Sequence, residues 1–352
     1  MKYNVAIVGA TGKVGRTFLE VLEKRNFPIN NLYLYASKKS AGLKLNFKNK
    51  EFEVIELIEE NIREDIDFAF FSAGGDTSLK FSPIFAKKNA IVIDNSSAFR
   101  MDPNIPLIVP EVNGEDALNN NRIIANPNCS TIQAVVALKP LHDKFKIKRI
   151  IYSTYQAVSG AGNYGVKDLN VDDENNLNKF QYLIKGNLIP QIDVFLDNGY
   201  TKEEMKMINE TKKILKDNSL KITATCVRVP VENSHSESIN IEFENSITLD
   251  GILNELKNSK GLILMDDIQT NTYPMPKYIS GKDEVYVGRV RIDESCTNSI
   301  NIWVVADNIL KGAALNAIQI AEYIIENKKK KKKWVYLLDL ELLLLLHLMK
   351  MV

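Results

Sequence analysis

The first half of the chain alternates short apolar runs with stretches of helical periodicity. The apolar runs predict buried strands at residues 5–8, 32–36, 68–72, 91–93 and 123–125. A helix of about 14–24 follows the first run, and an apolar helix that includes 132–138 follows the last. This alternation is typical of an α/β domain built on a parallel, doubly wound sheet.

The pattern changes after residue 148. A run at 149–154 opens a region whose later strands are predicted at 221–229, 238–244 and 285–292. Apolar and polar positions alternate more regularly in these strands, which indicates an antiparallel sheet. An amphipathic helix is predicted at about 311–326.

The segment after Asn327 departs from both patterns. Six lysines at 328–333 precede a leucine-rich stretch, 334–352, that is interrupted by Asp339, Glu341 and His347. This stretch is too short and too charged for a confident membrane span. A lysine run can be encoded by an adenine run prone to slippage, so we hypothesise a frameshifted or otherwise non-native extension without a catalytic role. The alternative is a membrane-surface or partner-binding helix.

Length, charge and cysteine content narrow the class of protein. A chain of 352 residues is long enough for two domains. Lys+Arg and Asp+Glu number 45 and 44, without the basic excess of a nucleic-acid binder. Three widely spaced cysteines and three histidines argue against a disulfide framework and a structural zinc site. No signal-peptide pattern opens the chain, so we expect a cytoplasmic enzyme. We also expect that the enzyme needs no metal.

A glycine-rich turn lies between the first predicted strand and the first predicted helix. It has a G-x-x-G-x-x-G spacing, formed by Gly9, Ala10, Thr11, Gly12, Lys13, Val14 and Gly15. Small residues allow a pyrophosphate to approach the backbone, and the amides at the helix N-terminus face its charge. The turn therefore predicts a dinucleotide site; the alternative is a tight turn needed only for packing.

The end of the second predicted strand indicates which dinucleotide is bound. An NAD enzyme commonly places a carboxylate there for the ribose hydroxyl. This chain has Ser37, Lys38, Lys39 and Ser40 instead. Cations and hydroxyls suit a 2′-phosphate, which favours NADP(H), although a solvated lysine loop would look the same.

Cys129 is the candidate nucleophile. It follows Asn126, Pro127 and Asn128 at the start of the apolar helix. Free amides and the dipole at a helix N-terminus stabilise a thiolate, so we expect a reactive cysteine rather than a small buried hydrophobe.

A nucleophilic cysteine requires a base, and the chain offers three histidines. We expect His142 to lie on the surface beyond the apolar part of the helix, and His347 lies in the atypical tail. His235 remains, on a predicted loop after a strand and a proline, near Arg228.

Seven motifs occur in the order found in one family, and the chain resembles aspartate-semialdehyde dehydrogenases of the shorter, bacterial type over residues 1 to about 327. The motifs are G-A-T-G-K-V-G at 9–15, S-A-F-R at 97–100, N-P-N-C-S-T at 126–131, Y-Q-A-V-S-G-A-G at 155–162, E-T-K-K-I-L at 210–215, R-V-P-V-x-x-x-H-S-E-S at 228–238 and D-N-I-L-K-G-A-A at 307–314.

The resemblance implies a role for each matching residue at the reacting end of the substrate. Cys129 matches the nucleophile that forms a thioester, Gln156 the residue that orients the intermediate, and His235 the acid/base. Arg228 would clamp the α-carboxylate and Glu210 would face the amino group.

Further roles implied by the resemblance concern phosphate and cofactor. Arg100 and Lys213 would hold the phosphate, with Asn128 beside them. Without the resemblance, Arg100, Lys213 and Glu210 would be taken for solvated charges. Ser159, Gly160 and Asn308 match cofactor contacts near the nicotinamide.

The resemblance also implies a fold and a reaction. Residues 1–128 would form an NAD(P)-binding Rossmann domain, completed by a helix at 308–327, and residues 129–307 a mixed α/β catalytic and dimerisation domain. The enzyme, a homodimer or a tetramer, would reduce L-4-aspartyl phosphate to L-aspartate 4-semialdehyde with NADPH, releasing phosphate. That step belongs to the biosynthesis of lysine and diaminopimelate, threonine and methionine.

Three other functions fit part of the sequence. N-acetylglutamyl-phosphate reductase and phosphorylating glyceraldehyde-3-phosphate dehydrogenase share the cysteine chemistry. Neither needs an acidic residue for a free amino group, so Arg228 together with Glu210 favours a free amino acid. A non-catalytic NADP-binding sensor would not need both Cys129 and His235.

Overall fold

Two β-sheets organise the protein, whose computed structural model describes residues 1–330. The hypothesis about the tail concerns mainly 331–352, which lie outside the described residues. Within the described part, no helix is long and apolar enough to cross a membrane.

The first sheet has seven strands in the order β3-β4-β2-β1-β5-β6-β7. It is parallel except for the hairpin of β3 and β4 at one edge. The strands are β1 Tyr3–Val8, β2 Ile29–Ala36, β3 Lys44–Phe47, β4 Lys50–Glu56, β5 Phe68–Phe71, β6 Ile91–Asp94 and β7 Ile123–Ala125. All five predicted strands are present, and the two unpredicted ones, β3 and β4, alternate charged and apolar residues at the sheet edge.

The second sheet has six strands in the order β11-β12-β13-β10-β8-β9. They are β8 Ile147–Gln156, β9 Lys221–Arg228, β10 His235–Phe243, β11 Leu262–Leu264, β12 Val285–Ile292 and β13 Ser299–Ala306. The central strands β12, β13, β10 and β8 pair antiparallel, which confirms the prediction for β10 and β12, whereas β11 and β13 were not predicted. The prediction was wrong for β9, which pairs parallel to β8, and β11 pairs parallel to β12. The long connection from β8 to β9 contains helices and crosses back over the sheet, as parallel pairing requires.

The helices connect and cover these sheets. They are α1 Lys13–Lys24, α2 Gly75–Lys87, α3 Pro110–Asn113, α4 Cys129–Phe145, α5 Gly162–Asp168, α6 Lys202–Leu215, α7 Leu249–Asn258 and α8 Pro276–Ile279. A π-helical turn, Leu310–Ala314, leads into a last helix that is described over 315–330.

Two main cores correspond to the two sheets. Apolar residues of the last helix, from Leu315 to Ile325, pack with β1, β2 and α1. Helix α4 is buried over most of its length in the core of the second sheet. Cys129 begins α4, so the predicted nucleophile lies where the two cores meet.

Candidate active site

The glycine-rich turn lies between β1 and α1, as the sequence predicts. Gly9 has φ +86°, and a Cβ there would lie 2.7 Å from the Ser72 carbonyl oxygen. A Cβ at Gly15 would lie 2.1 Å from the Gly9 carbonyl oxygen. These contacts explain why both positions require glycine. The turn borders a cavity of about 440 Å³, also lined by Thr11 and Gly12, at the N-terminus of α1.

The turn after β2 carries the predicted 2′-phosphate contacts. Ser37 lines the same cavity, and the side chains of Lys38 and Lys39 are exposed on the short 3-10 helix that follows. The Thr11 hydroxyl donates a hydrogen bond to the Ser40 hydroxyl at 3.4 Å. The turn presents hydroxyls and cations with no carboxylate of its own, which fits NADP(H).

A second cavity, of about 370 Å³, continues from the first. Gly12 and Ser72 line both cavities. The second cavity is also lined by Lys13, Val14, Asn95, Ser96, Arg100, Pro127, Asn128, Cys129, Ser159, Gly160, Asn308 and Gly312. A dinucleotide bound along the first cavity would therefore extend towards Cys129.

Local structure holds Cys129 at the first position of α4. The Asn128 side chain accepts hydrogen bonds from the backbone amides of Ser130 and Thr131, which caps the helix. A Cβ at Gly312 would lie 2.8 Å from the Cys129 Cβ, so the π-helical turn packs directly behind the nucleophile. The Cys129 Sγ lies 3.1 Å from His235 Nε2.

Two opposing influences act on the thiolate form of Cys129. Burial, reinforced by the Glu203 carboxylate, raises the pKa of the thiol from 9.0 to about 12, although Arg228 and Arg100 oppose the shift. The cost of desolvating an anion here outweighs its stabilisation by the helix N-terminus.

His235 is the first residue of β10 and fully buried, not on a loop as predicted. The prediction failed because β10 begins at His235, earlier than the predicted strand at 238–244: His235 pairs with Ala306 of β13 and Ser236 with Tyr155 of β8. The imidazole Nδ1 accepts a hydrogen bond from the Ala157 backbone amide at 2.9 Å. Burial and the Arg228 charge lower the pKa of His235 well below 6.5.

Glu203 is a site residue that the sequence reasoning missed. Its Oε1 accepts hydrogen bonds from Asn128 Nδ2 at 2.8 Å and Gln156 Nε2 at 3.2 Å. Its Oε2 accepts one from Lys206 at 3.1 Å. Although burial alone would raise the pKa of Glu203, Lys206 and Asn128 reverse this and lower it, so the group is a carboxylate.

Glu210 and Lys213, predicted to contact the substrate, make hydrogen bonds to Arg100 and to the backbone around it. Glu210 accepts hydrogen bonds from Arg100 Nη1 at 3.1 Å and from the Asn128 backbone amide at 2.6 Å. Lys213 Nζ donates to the backbone carbonyls of Arg100, Asp102 and Ile105, at 2.7, 2.7 and 2.9 Å. Neither side chain lines the cavity that contains Cys129, but Glu203 does not line it either, so the two glutamates differ in their hydrogen-bond partners and not in the lining. Glu210 and Lys213 instead support Arg100, which does line it.

Glu210 and Lys213 belong to a pattern that occurs twice on α6. Glu-x-x-Lys occurs at 203–206 and again at 210–213, two helical turns later on the same face. The repeat was a detectable signal, but the spacing alone cannot say which copy faces Gln156. The position of α6 along β9 decides it.

Arg228 and Arg100 are the buried cations of the site. Arg228 Nη1 donates to the Ala157 carbonyl at 2.7 Å, while its Nε has no partner among the described residues. Arg100 donates to the carbonyls of Asn126 and Asn95 as well as to Glu210. These contacts use three of the five N–H groups of a guanidinium, so two remain for a ligand.

The predicted nicotinamide contacts lie together at the domain junction. Asn308 Nδ2 donates to the Ser159 hydroxyl at 3.0 Å, and Asn308 Oδ1 accepts from the Ser234 amide at 2.8 Å. A Cβ at Gly160 would lie 3.1 Å from Arg228 Nη1 and 3.4 Å from His235 Cε1. Glycine therefore lets the backbone lie against both side chains.

The prediction that His142 lies on the surface is wrong. It is 8% exposed, and its Nδ1 accepts a hydrogen bond from the Ile147 amide at 3.2 Å. The last turn of α4 packs against the start of β8, which buries the ring. His347 lies outside the described residues.

Comparison with known proteins agrees with this architecture. Residues 4–120 match a family described as "Semialdehyde dehydrogenase, NAD binding domain", and residues 138–311 match "Semialdehyde dehydrogenase, dimerisation domain". The predicted Rossmann domain with a second mixed α/β domain is confirmed.

Individual relatives cover almost the whole chain. The aspartate-semialdehyde dehydrogenase of Aquifex aeolicus is 54% identical over 336 residues, 93% of this chain and 99% of that protein. The crystal structure of aspartate semialdehyde dehydrogenase II from Vibrio cholerae complexed with ASA is 47% identical, with a TM-score of 0.88 over 93% of this chain and 99% of that one. The Candida albicans enzyme, solved with NADP, is 26% identical, with a TM-score of 0.75 over 92% and 98% of the two chains. This chain therefore belongs to the aspartate-semialdehyde dehydrogenase family of oxidoreductases, which serves the biosynthesis of the aspartate-derived amino acids.

Proposed function

We propose that Cys129 is the nucleophile in an NADPH-dependent reduction of L-4-aspartyl phosphate to L-aspartate 4-semialdehyde and phosphate. The observation that carries this assignment is the 3.1 Å contact between Cys129 Sγ and His235 Nε2, at a helix start inside a cavity continuous with the nucleotide cleft. The Vibrio relative solved with ASA supports the substrate.

Arg228 and Glu203 recognise the two charged groups of the amino acid. Arg228 is buried and keeps an unpartnered Nε, which suits a bidentate contact with the α-carboxylate. Glu203 is a buried carboxylate beside Asn128 and Gln156, which suits an ammonium group. Glu203 thus takes the role that the sequence assigned to Glu210. A substrate with an acetylated amine would leave that carboxylate without a partner.

Arg100 receives the departing phosphate. Its two free N–H groups border the cavity with Asn95 and Ser96, and Glu210 and Lys213 hold the guanidinium and the backbone of its turn. Glu210 also binds the amide of Asn128, the residue before the nucleophile. One carboxylate therefore sets the relative position of the phosphate site and the sulfur.

The reaction proceeds through a covalent intermediate on Cys129. The sulfur attacks the acyl carbon, phosphate leaves towards Arg100, and a thioester remains. When bound, NADPH supplies the hydride that reduces this thioester. Gln156 orients the acyl group, and His235, whose Nε2 lies beside the sulfur, acts as the acid/base in the proton transfers. Collapse of the resulting thiohemiacetal on Cys129 then releases the aldehyde.

The chain's own residues provide a fitting site for NADP(H). Gly9, Gly12 and Gly15 belong to the turn that would bind the pyrophosphate. Ser37 and Lys39, after β2, would bind the 2′-phosphate. Ser159 and Asn308, which line the inner cavity, would position the nicotinamide end.

The enzyme works in the cytoplasm as a homodimer or a tetramer. All three cysteines are free thiols, as expected in a reducing compartment. The second domain matches a family described as a dimerisation domain.

The reverse reaction tests the proposed function. Purified enzyme should reduce NADP with L-aspartate 4-semialdehyde only when phosphate is present. N-acetylglutamate semialdehyde serves as the control substrate and should not react. Turnover with the acetylated substrate alone would overturn the assignment.

A matched pair of variants tests the roles proposed for Glu203 and Glu210. Glu203→Gln should raise the KM for the semialdehyde, because the ammonium loses its carboxylate. Glu210→Gln should instead raise the KM for phosphate, because it loosens Arg100. The same effect of both variants on both constants would contradict these roles.

A further inference from the structure

Lys311 belongs to the motif at 307–314, but its side chain does not line the cavity that contains Cys129. It lies on the π-helical turn, directly before Gly312, which packs behind the nucleophile. Its side chain is buried. Burying an ammonium group costs free energy unless the group is paired and hydrogen-bonded. The contacts of Lys311 therefore indicate how its charge is used.

Three side chains accept hydrogen bonds from Lys311 Nζ. It lies 2.8 and 2.7 Å from the two carboxylate oxygens of Glu111, 3.1 Å from Asn316 Oδ1 and 2.7 Å from Gln319 Oε1. A lysine ammonium only donates, so the amide oxygen of Asn316 must face it. This contact fixes the orientation of the Asn316 side chain, which is completely buried.

A chain of side-chain amides leads from Asn316 towards the active site. Asn316 Nδ2 donates to the Ile108 carbonyl at 3.0 Å and to Asn126 Oδ1 at 2.7 Å. Asn126 Nδ2 donates in turn to the Ala313 carbonyl at 3.2 Å and to Asn95 Oδ1 at 2.6 Å. The two backbone carbonyls only accept, which fixes both amides in this orientation. Every link of the chain therefore runs in one direction, from the ammonium to Asn95.

The amide chain ends at the proposed phosphate site. Asn95 lines the cavity together with Arg100, and these two residues form its anion site. Arg100 Nη2 donates to the Asn95 carbonyl at 3.0 Å, and Arg100 Nε donates to the Asn126 carbonyl at 2.9 Å. Two residues of the chain thus hold the guanidinium. Because the Asn95 amide oxygen faces Asn126, its N–H groups are the end of the chain that remains for an anion.

We propose that Asn316 and Asn126 are positioning residues that couple the buried ammonium of Lys311 to the anion site. The inference rests on the proposed function, in which Arg100 receives the phosphate. The chain fixes where the guanidinium lies. Hydrogen bonds that run in one direction also polarise one another, which strengthens the terminal N–H groups of Asn95 as donors.

This coupling acts at a distance from the ligand. Neither Lys311, Asn316 nor Asn126 lines the cavity, so these residues influence phosphate only through the groups that they hold. A displacement of such groups by a fraction of an ångström is enough to weaken binding. The expected signature is a change in phosphate affinity without a matching change for the amino-acid substrate.

Phosphate dependence of the reverse reaction tests the proposal. Asn316→Ala removes the link to Asn126, whereas the control Gln319→Ala removes an acceptor of Lys311 that is not part of the chain. Asn316→Ala should raise the KM for phosphate about 2- to 30-fold, the size usual for a residue that acts through a network, and leave the KM for the semialdehyde unchanged. Gln319→Ala should change neither constant.

Calorimetric titration of the NADP-bound enzyme with inorganic phosphate measures the same effect without turnover. The Kd for phosphate should rise in Asn316→Ala by the same factor as the KM. Asn316→Asp keeps the volume and the acceptor for Lys311 but replaces the donor to Asn126 by an oxygen, so it should act in the same direction. Equal phosphate constants for Asn316→Ala and Gln319→Ala would overturn the proposal. An equal loss for phosphate and semialdehyde would do so too, because it indicates a general structural defect.

A second variant separates coupling from stability. Lys311→Met/Glu111→Leu removes both charges, so no unpaired charge remains buried. It should still weaken phosphate binding, and adding Asn316→Ala to it should have little further effect, because both changes interrupt one chain. Fully additive effects would contradict the coupling. If turnover of the wild-type enzyme did not depend on phosphate, the proposed function would fail, and the calorimetric comparison would still decide this inference.

Discussion

Replacing Lys311 by methionine should strongly destabilise the protein, because it removes one half of a buried ion pair. Lys311 is 1% exposed, and its Nζ lies 2.7 Å from Glu111 Oε2. Asn316 and Gln319 accept its remaining hydrogen bonds. Methionine keeps most of the length of the side chain but leaves the Glu111 carboxylate buried without a cation.

The magnitude follows from this burial. Removing one partner of a buried ion pair costs about 3–5 kcal/mol. In a domain of about 150–250 residues each kcal/mol lowers Tm by about 2–4 °C, so the expected fall is roughly 6–20 °C. In the wild type, burial alone would raise the pKa of Glu111, but Lys311 reverses this and lowers it. Without Lys311 burial raises that pKa, so Glu111 protonates more readily and the difference from wild type should shrink as pH falls from neutrality.

Thermal and urea unfolding, followed by circular dichroism, measure this effect. Lys139→Met is the control, since Lys139 forms a more exposed pair with Asp143 and should lose only about 0–1 kcal/mol. The double variant Lys311→Met/Glu111→Leu should recover most of the stability, because no unpaired charge remains buried. The reasoning is refuted if Lys311→Met matches the control, or if the double variant is no more stable than the single one.

Four further predictions concern the site. Cys129→Ser should keep the fold and NADP binding but lose nearly all turnover, because a serine hydroxyl is a far poorer nucleophile; substantial residual activity would exclude covalent catalysis by this residue. Alkylation of Cys129 by iodoacetamide should accelerate throughout the alkaline range, because burial raises the pKa of the thiol to about 12, and a rate that is already constant at neutral pH would contradict this. Changing Lys38 and Lys39 to alanine should weaken NADP(H) binding far more than NAD(H) binding in a fluorescence titration, and equal losses would mean that these lysines do not read the 2′-phosphate. In steady-state kinetics Arg228→Lys should chiefly raise the KM for the amino-acid substrate and His235→Asn should chiefly lower kcat; the opposite signatures would exchange the two roles.

Features that depend on local sequence were predictable. The strand β12 occurs at 285–292 as predicted, because its β-branched residues Val285, Val287 and Val290 favour an extended backbone and are buried in the sheet. The glycine-rich turn and the start of α4 at Cys129 were also evident, since glycine spacing and a capping asparagine act within a few residues.

Features that depend on residues distant in the sequence were not predictable. The parallel pairing of β9 follows from how the connection after β8 crosses the sheet, and the burial of His142 follows from the packing of α4 on β8. Neither is encoded in the residues next to the feature itself.

By itself, the sequence determined the fold class and the family, and it predicted Cys129, Gln156 and His235 as reacting residues, because each of these stands in a motif that the family shares. Only the tertiary structure distinguishes Glu203 from Glu210, which share one pattern on α6 but contact different partners. It also brings together the groups that shift the pKa values of Cys129 and His235. Burial, the Ala157 amide and Arg228 come from separate elements, and their combined effect on Cys129 and His235 exists only once those elements meet.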